Sequence, residues 1–466
     1  MNASFSYDTY ITPFTWRYGT DEMRSIWSES HKRLLLRRVW VALAKAQKKA
    51  GLVTQEQVDD LVAHQDMIDI QRVQEIESEI RHDLMAEIRT FAEQCPVGGS
   101  IIHLGATSMD ALDNMEVMRQ KEALSIILGK SILFAKGLIE KMHTYANVPC
   151  IAFTHIQPAE ITTVGYRLAQ TAQDIHEDIK TLKQLLQEIK GKGMKGAVGS
   201  SASYTVLLEH SEMSASQLEE LVMSELGLTA FTASTQVYPR KQDWKIGVAL
   251  AGLCQSLYKF AFDFRLLQSP AIGEWSEPFG KMQVGSSAMP FKRNPIDSEK
   301  IDSLCRWVAS QCDILWQNAA NSLLERTLDD SANRRVVLPE MFLATEETLM
   351  SAIRLINGMN IHEQAIQRNL GLWGVFASSE RLLMELVRRG ADRQLMHEVI
   401  RHHSLAAWEQ VQQGKENPLI ERLADDAHIL SFVSEAEVHA YMDSSDYIGD
   451  APQRTHKIIE LLESVL

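Results

Sequence analysis

Residues 285–295 read GSSAMPFKRNP, a short polar segment inside a sequence whose pattern is otherwise strongly helical. Gly285 lets the backbone bend sharply, whereas Pro290 and Pro295 fix φ and stop a helix from running through the segment. A purely structural loop needs glycine, proline and asparagine. It does not need two adjacent serines beside two adjacent cations, so the segment indicates a functional loop.

The composition is that of a soluble globular protein, because 45% of the 466 residues are hydrophobic and 23% are charged. The formal net charge is −14, from 47 basic and 61 acidic residues. This balance argues against a general nucleic-acid binder, which would carry a basic stripe. An anionic substrate must therefore be held by a local cluster of lysine and arginine side chains, against the field of the whole protein.

The five cysteines are scattered and form no CxxC pair, which predicts reduced thiols and a cytoplasmic location. The N-terminal residues show no secretory signal pattern. No apolar run approaches the roughly 18 residues of a membrane span. We therefore expect no membrane partner.

Five long helical patterns dominate the middle of the chain, over residues 110–145, 162–190, 243–268, 297–325 and 333–357. Each spans about 25 to 35 residues, or roughly 40 to 50 Å at 1.5 Å per residue. The third is apolar nearly all round, so we expect identical subunits to share a common bundle. The pattern predicts an all-α fold in three parts: an N-terminal helical domain (1–108), a central domain of long bundled helices (109–361) and a C-terminal helical domain (362–466).

Shorter helices are predicted outside the bundle, over 22–49, 69–93, 362–389, 393–413, 419–425 and 435–442. Thr54 and Gln57 form a capping box that opens one more. Residues 1–18 lack helical periodicity and are predicted to pack as an extended arm. No stretch alternates cleanly enough to predict a sheet.

Two motifs that resemble cofactor or metal sites have simpler explanations. Residues 191–196 match GxGxxG, but they follow a helical pattern instead of a strand, so a flexible turn is the better interpretation. His397, His402 and His403 are predicted to lie on a solvated helix face. We expect neither a cofactor nor a metal.

Four other segments combine residue types that suit chemistry. Residues 154–159 place His155 in a turn between two long helices, where an imidazole can transfer protons. Residues 103–108 precede a long helix and suit the binding of a carboxylate or phosphate, although capping alone would explain Ser108. Residues 81–83 read RHD inside a predicted helix, where a surface ion pair is an equal explanation. Residues 326–335 carry three arginines and two hydroxyls, which suit a phosphate but would also fit a salt-bridged corner.

Together these segments resemble a known family. Residues 285–295 resemble the signature GSSxMPxKxNP of the fumarase/aspartase superfamily of lyases. Residues 81–83, 102–108, 153–165 and 326–335 look like those of the adenylosuccinate lyase family within it, in its animal-type form. The resemblance covers essentially the whole chain from about Arg17. It implies an all-α homotetramer in which each active site is assembled from three subunits.

The implied reaction is the β-elimination of fumarate from adenylosuccinate, giving AMP, and from the succinylated aminoimidazole carboxamide ribotide, giving AICAR, in purine nucleotide biosynthesis. The carbanion intermediate needs cationic and N–H donors around it. By the resemblance, Ser286 would be the base and His155 the acid, with Glu299 orienting a histidine, which the resemblance indicates is His155. Lys292 and loop N–H groups would activate the serine, which is otherwise a weak base.

The resemblance also implies a set of substrate contacts. Lys292 would hold the succinyl carboxylates together with Thr107, Ser108, Thr154, Gln236 and Asn294. The nucleotide, with its phosphate, would bind to Arg17, Tyr18, Arg81, Arg326, Ser331 and Arg335. His82 and Asp83 complete the set of substrate-binding residues. Lys300 stands where the family pattern has arginine, and residues 110–112 also depart from it.

Two alternatives remain at this point. One is another fumarate-releasing lyase of the superfamily, such as argininosuccinate lyase, whose substrate carries no phosphate to occupy residues 326–335. The other is a helical scaffold that kept the fold without the activity, against which the intact Ser286, His155 and Lys292 argue.

Overall fold

A computed structural model describes residues 10–466. Half of the predicted N-terminal arm, residues 1–9, lies outside the described residues. The chain divides into two compact units. The first unit contains residues 10–131, 178–255 and 303–350, and the second contains residues 132–177, 256–302 and 351–466.

The described chain is built almost entirely of helices. The α-helices are α1 Asp21–Ile26, α2 Glu29–Lys49, α3 Gln55–His64, α4 Ile70–Ile80, α5 Asp83–Gln94, α6 Ser108–Tyr145, α7 Val164–Glu188, α8 Ala202–Leu207, α9 Ala215–Glu225, α10 Lys241–Gln268, α11 Ile296–Ala320, α12 Ser331–Gly358, α13 Glu363–Asn369, α14 Val375–Arg388, α15 Arg393–Gln412, α16 Leu419–Ala424, α17 Ala427–Leu430, α18 Glu435–Tyr441 and α19 Ala451–Glu463. The strands are β1 Pro149–Thr154, β2 Gln157–Thr163, β3 Trp275–Ser276 and β4 Asn360–Ile361.

The five predicted long helices are confirmed as α6, α7, α10, α11 and α12, with ends that agree within about five residues. The longest, α6, has 38 residues, which corresponds to about 57 Å. Each of the five contributes residues to both units. No helix among the described residues is long and apolar enough to cross a membrane.

Each unit has an apolar core of its own. In the first unit, Leu36, Trp40 and Phe91 are among the buried side chains that pack α2 against α5. In the second, Leu382 and Leu386 of α14 are buried with residues of the following short helices. The capping box at Thr54 and Gln57 is present, with both of its hydrogen bonds formed at the start of α3.

Two predicted helices are each broken in the structure. The predicted helix over 69–93 is α4 and α5, because Arg81 adopts a left-handed conformation with φ of 53° and ends α4. His82 then caps α5, its Nδ1 accepting a hydrogen bond from the Met85 N–H at 3.3 Å. The placement of residues 81–83 inside a helix is therefore wrong. Likewise Ser28 caps α2 and divides the predicted helix over 22–49 into α1 and α2.

The expectation of no sheet is also wrong. β1 and β2 form an antiparallel hairpin, and β3 pairs with β4. The hairpin turns through His155 and Ile156, which have φ of 55° and 62°. Two left-handed residues at this position are usually asparagine and glycine, so the sequence carries no hairpin signal. A β-branched isoleucine in this conformation is strained.

Residues 191–196 form a buried, hydrogen-bonded turn instead of the flexible connection predicted for GxGxxG. Lys192 is fully buried and forms an ion pair with Asp110 near the start of α6. The Lys192 ammonium also donates to the carbonyl oxygen of Gly196 at 2.9 Å. The buried lysine is stable because its charge is paired and hydrogen-bonded.

Candidate active site

Residues 285–295 form a turn that is closed by its own polar groups, and they belong to the second unit. The Oγ atom of Ser286 accepts hydrogen bonds from the N–H groups of Ala288 at 3.3 Å and Met289 at 3.1 Å. The Asn294 amide donates to the Gly285 carbonyl oxygen at 3.1 Å. Gly285 is required here because a Cβ atom would lie 2.0 Å from the carbonyl oxygen of Lys292. The Lys292 side chain is exposed on this turn.

Gln268 and Glu277 precede this loop in sequence and bind the residues at its far end. The buried Glu277 carboxylate accepts hydrogen bonds from the Ser298 N–H at 2.8 Å and the Asp297 N–H at 3.2 Å, and so caps α11. The Gln268 side chain accepts from the Glu277 N–H and donates to the Arg293 carbonyl oxygen. Burial raises the pKa of Glu277 although these N–H groups oppose the rise. Sequence reasoning missed both residues, since no local pattern reveals a cap that comes from 20 residues upstream.

Glu299 lies in the first turn of α11, just after the signature loop. Its carboxylate is 3.8 Å from the guanidinium of Arg265. Its pairing with a histidine is a prediction that the single chain does not test. Lys300 forms an ion pair with Asp297 at 3.1 Å.

Thr154 and His155 lie at the tip of the hairpin of β1 and β2, also in the second unit. Both side chains are exposed. Within residues 10–466, no side chain forms a hydrogen bond or ion pair with the imidazole of His155. The strained turn therefore presents a solvent-facing imidazole on a short rigid support.

Four of the predicted substrate-binding residues line one cavity of about 180 Å³ in the first unit: Asp83, Arg326, Ser331 and Arg335. The guanidinium of Arg335 is 3.5 Å from the Asp83 carboxylate and is largely exposed. Arg326 donates to Asp330 at 2.8 Å. Ser331 is the first residue of the 28-residue helix α12, whose N-terminal N–H groups favour an anion.

A buried network of charges supports this cavity. Arg240 donates to Asp330 at 2.7 Å and to Asp113 at 3.1 Å. Arg334 donates to Asp243 at 2.8 Å and to the hydroxyl of Tyr238 at 2.9 Å. Burial and the neighbouring Asp243 raise the pKa of Tyr238, so its hydroxyl stays protonated. Sequence reasoning found the arginine-rich segment but did not show which arginine faces inward.

The other predicted site residues of the first unit are not among the residues that line this cavity. Arg17 is exposed, with its guanidinium 5.6 Å from the ring centre of Trp16, and the Tyr18 ring packs edge-on against Phe14. Ser108 opens α6, and the Thr107 N–H donates to Asp110 at 3.1 Å.

Gln236 lies two residues before Tyr238 of the buried network. Its N–H donates to the carbonyl oxygen of Glu325 at 3.2 Å, beside Arg326 in sequence. Arg81 and His82 are exposed at the break between α4 and α5.

The predicted set is thus divided between the units. The first unit holds Arg17, Tyr18, Arg81, His82, Asp83, Thr107, Ser108, Gln236, Arg326, Ser331 and Arg335, and the second holds Thr154, His155, Ser286, Lys292, Asn294 and Glu299.

Comparison with solved structures identifies the class of protein. The crystal structure of the 3-carboxy-cis,cis-muconate lactonizing enzyme from Pseudomonas putida matches with a TM-score of 0.84 at 22% identity, over 97% of this chain and 99% of that chain. The fumarate lyase from Mesorhizobium sp. BNC1 matches with the same TM-score at 19% identity, over 97% of this chain and 99% of that chain. Residues 14–310 match the family model described as lyase. Fold and family model therefore define a lyase of this all-α type.

Sequence relatives narrow the class further. Residues 376–458 match the family model described as adenylosuccinate lyase C-terminus. Adenylosuccinate lyase of Schistosoma mansoni is 36% identical over 96% of this chain and 94% of its own length. The enzyme of Saccharomyces cerevisiae is 34% identical over 97% of this chain and 95% of its own length. The enzyme of Archaeoglobus fulgidus is 32% identical over 98% of this chain and 99% of its own length. The chain belongs to the adenylosuccinate lyase family, as the sequence resemblance predicted.

Proposed function

We propose that this chain is a carbon–nitrogen lyase that releases fumarate from adenylosuccinate, giving AMP, and from the succinylated aminoimidazole carboxamide ribotide, giving AICAR. The observation that carries the proposal is the relationship to named adenylosuccinate lyases over nearly the full length of both chains. In each reaction the base takes a proton from the carbon beside a carboxylate, the C–N bond breaks, and the C=C bond of fumarate forms. The acid returns a proton to the leaving nitrogen.

Ser286 is the proposed base. The two N–H groups that donate to its Oγ atom stabilise negative charge there, and so favour the deprotonated form. Ser287 accepts no such bond among the described residues. The exposed ammonium of Lys292 on the same loop is free to approach the substrate carboxylate when the loop closes.

His155 is the proposed acid, with Glu299 as its orienting carboxylate in the assembled enzyme. An exposed imidazole without a hydrogen-bond or ion-pair partner among residues 10–466 is available to a substrate or to another subunit. Thr107, Ser108, Thr154, Gln236 and Asn294 are the proposed partners of the succinyl carboxylates, together with Lys292.

The cavity of the first unit is the proposed phosphate site. Arg326, Arg335 and the N-terminus of α12 at Ser331 present cationic and N–H donors to one space. Arg17, Tyr18 and Arg81 are proposed to bind the rest of the nucleotide, with His82 and Asp83 beside them. A phosphate site favours a nucleotide substrate over argininosuccinate, which carries no phosphate.

We further propose a cytoplasmic homotetramer whose active sites each draw residues from three subunits. Apolar side chains on the long helices support this assembly: Phe262 of α10 is 52% exposed and Trp316 of α11 is 50% exposed. Such side chains on helices of this length are typical of surfaces covered by other subunits. The five cysteines are all free thiols, in agreement with a reducing compartment.

The activity is tested by following the ultraviolet absorbance of adenylosuccinate while fumarate is measured separately. We expect stoichiometric conversion to AMP and fumarate, and conversion of the succinylated ribotide to AICAR. Argininosuccinate serves as the competing substrate. Turnover of argininosuccinate without turnover of either ribotide would overturn the proposal.

A further inference from the structure

We propose that Asp60, His64 and Cys95 form a Zn²⁺ site in the first unit, separate from the proposed catalytic residues. One carboxylate oxygen, one ring nitrogen and the Sγ atom of these residues all lie within 4.8 Å of one another. Tetrahedral zinc with bonds of roughly 2.0–2.3 Å places its ligand atoms about 3.3–3.8 Å apart. Small side-chain rotations therefore bring all three atoms to coordinating distance.

The helices bring the three residues together. Asp60 and His64 are four residues apart on α3, so their side chains share one face of the helix. Cys95 directly follows α5 and is buried, with 1% of its surface exposed. The His64 side chain is 29% exposed, which gives a cation a route from solvent.

The carboxylate and imidazole are already oriented by backbone groups. The Asp60 Oδ2 atom accepts hydrogen bonds from the N–H groups of Val97 at 2.9 Å and Gly98 at 2.7 Å. One ring nitrogen of His64 is 2.8 Å from the Asp60 carbonyl oxygen. Ligands of protein metal sites are held by hydrogen bonds of this kind, which fix their direction before the metal binds.

The ligand types select the cation. Mg²⁺ and Ca²⁺ prefer oxygen ligands, whereas a thiolate with an imidazole and a carboxylate suits Zn²⁺. Cys95 binds the cation as the thiolate, so binding of the cation releases the thiol proton.

A simpler explanation is an ion pair within α3 beside a buried thiol. The side chains of Asp60 and His64 are 3.2 Å apart, and the Cys95 thiol packs in the apolar core with its Sγ atom 4.0 Å from the Asp60 carbonyl oxygen. That explanation predicts no binding of a cation by Cys95, which separates it from the proposed site. The proposed ion joins α3 to the end of α5. Asp83 opens the same helix, so the site lies about 18 Å from that substrate-binding candidate and would stiffen its support.

Cobalt provides a direct test on the full-length protein after treatment with EDTA. A Co²⁺ ion bound by a thiolate gives a sulfur-to-metal charge-transfer absorption in the near ultraviolet. We expect one Co²⁺ per chain with this absorption, displaced stoichiometrically by Zn²⁺. Cys95→Ser should abolish the absorption, and Cys312→Ser, which alters a cysteine outside the cluster, should retain it.

His64→Gln changes a second ligand at a partly exposed position. It therefore still tests the proposed Zn²⁺ site if Cys95→Ser does not fold. We expect its Zn²⁺ affinity to fall at least about 10-fold. Circular dichroism of each variant without metal checks that the fold is kept. Absence of the charge-transfer absorption in the unaltered protein, or its persistence in folded Cys95→Ser, would overturn the proposal, as would unchanged Zn²⁺ affinity in His64→Gln.

Discussion

The Oγ atom of Ser286 accepts a hydrogen bond from the backbone N–H of Met289 at 3.1 Å, while the neighbouring Ser287 is exposed. This contact distinguishes two serines that are equivalent by residue type. N–H donors stabilise an alkoxide, so this contact supports the proposal that Ser286, and not Ser287, is the base.

Ser286→Ala is therefore expected to lower kcat on adenylosuccinate by about 10²- to 10⁴-fold, the usual contribution of a general base. The oligomer should persist, because the loop is largely exposed and contributes little to the core. Ser287→Ala is the matched control and should retain most of the activity. Steady-state kinetics and size-exclusion chromatography measure both effects, and a reversed order of the two variants would assign the base to Ser287.

Gly285→Ala should damage catalysis without unfolding the protein. A Cβ atom at Gly285 would lie 2.0 Å from the Lys292 carbonyl oxygen, so the turn must open. A displacement of about 1 Å at a catalytic group can cost about 10²-fold in rate. Gly280→Ala in the same loop is the control, because its nearest neighbour, the Gln283 side chain, would be 3.8 Å away. Equal kcat values for the two variants would show that the closed turn is not the active form.

Much of the fold could be predicted because long helices repeat one local pattern over many turns. The five long helices are of this kind. The break at Arg81 could not be predicted, since neither glycine nor proline marks it. The cap that Glu277 gives to α11 depends on a contact between distant positions, which no local pattern contains.

In the candidate site, too, local patterns predicted some features, whereas others depend on contacts between distant residues. Residue types indicated residues 326–335 as one arginine-rich segment, but neighbouring arginines in a helix point about 100° apart. In the structure Arg334 faces the buried network and Arg335 faces solvent. Residue types and spacing alone do not distinguish them, because the direction depends on where α12 begins and on what packs against it.

Arg335→Ala should weaken recognition of the phosphate specifically. The loss of a charge-assisted hydrogen bond costs about 1.5–3 kcal/mol, or about 10- to 100-fold in KM for adenylosuccinate. The dephosphorylated analogue, succinyladenosine, should be turned over equally by the variant and the unaltered protein. Arg388→Ala, which removes an exposed arginine paired with Glu385, is the control. An equal loss on both substrates would place Arg335 outside the phosphate site.

Asp330→Asn should destabilise the protein near neutral pH and lose this effect in acid. Burial alone would raise the pKa of Asp330, but Arg240, Arg326 and Arg334 outweigh burial and hold it below the usual 3.8. The carboxylate therefore stabilises the fold above pH 3.8, and this contribution is lost as the pH falls through the lower pKa of the folded state.

The expected loss of stability in Asp330→Asn follows from the burial of the ion pair between Asp330 and Arg240. Removing one partner of a buried ion pair typically costs about 3–5 kcal/mol. Urea unfolding at several pH values should show the difference between Asp330→Asn and the unaltered protein shrinking below about pH 4. Asp446→Asn, which breaks an exposed pair with Arg381, should change the unfolding free energy little. A difference for Asp330→Asn that stays constant with pH would contradict the assigned charge.

Mixing two inactive variants tests whether His155 and Ser286 of one active site come from different subunits. If they do, random assortment of Ser286→Ala and His155→Ala chains leaves roughly a quarter of the sites with both residues intact. Mixed oligomers, formed by co-expression with two affinity tags, should then regain turnover that neither parent shows. Ser286→Ala mixed with Lys292→Ala is the matched control, because these residues share one loop and no exchange of chains can restore it. No recovery in the first mixture would place the base and the acid in the same subunit.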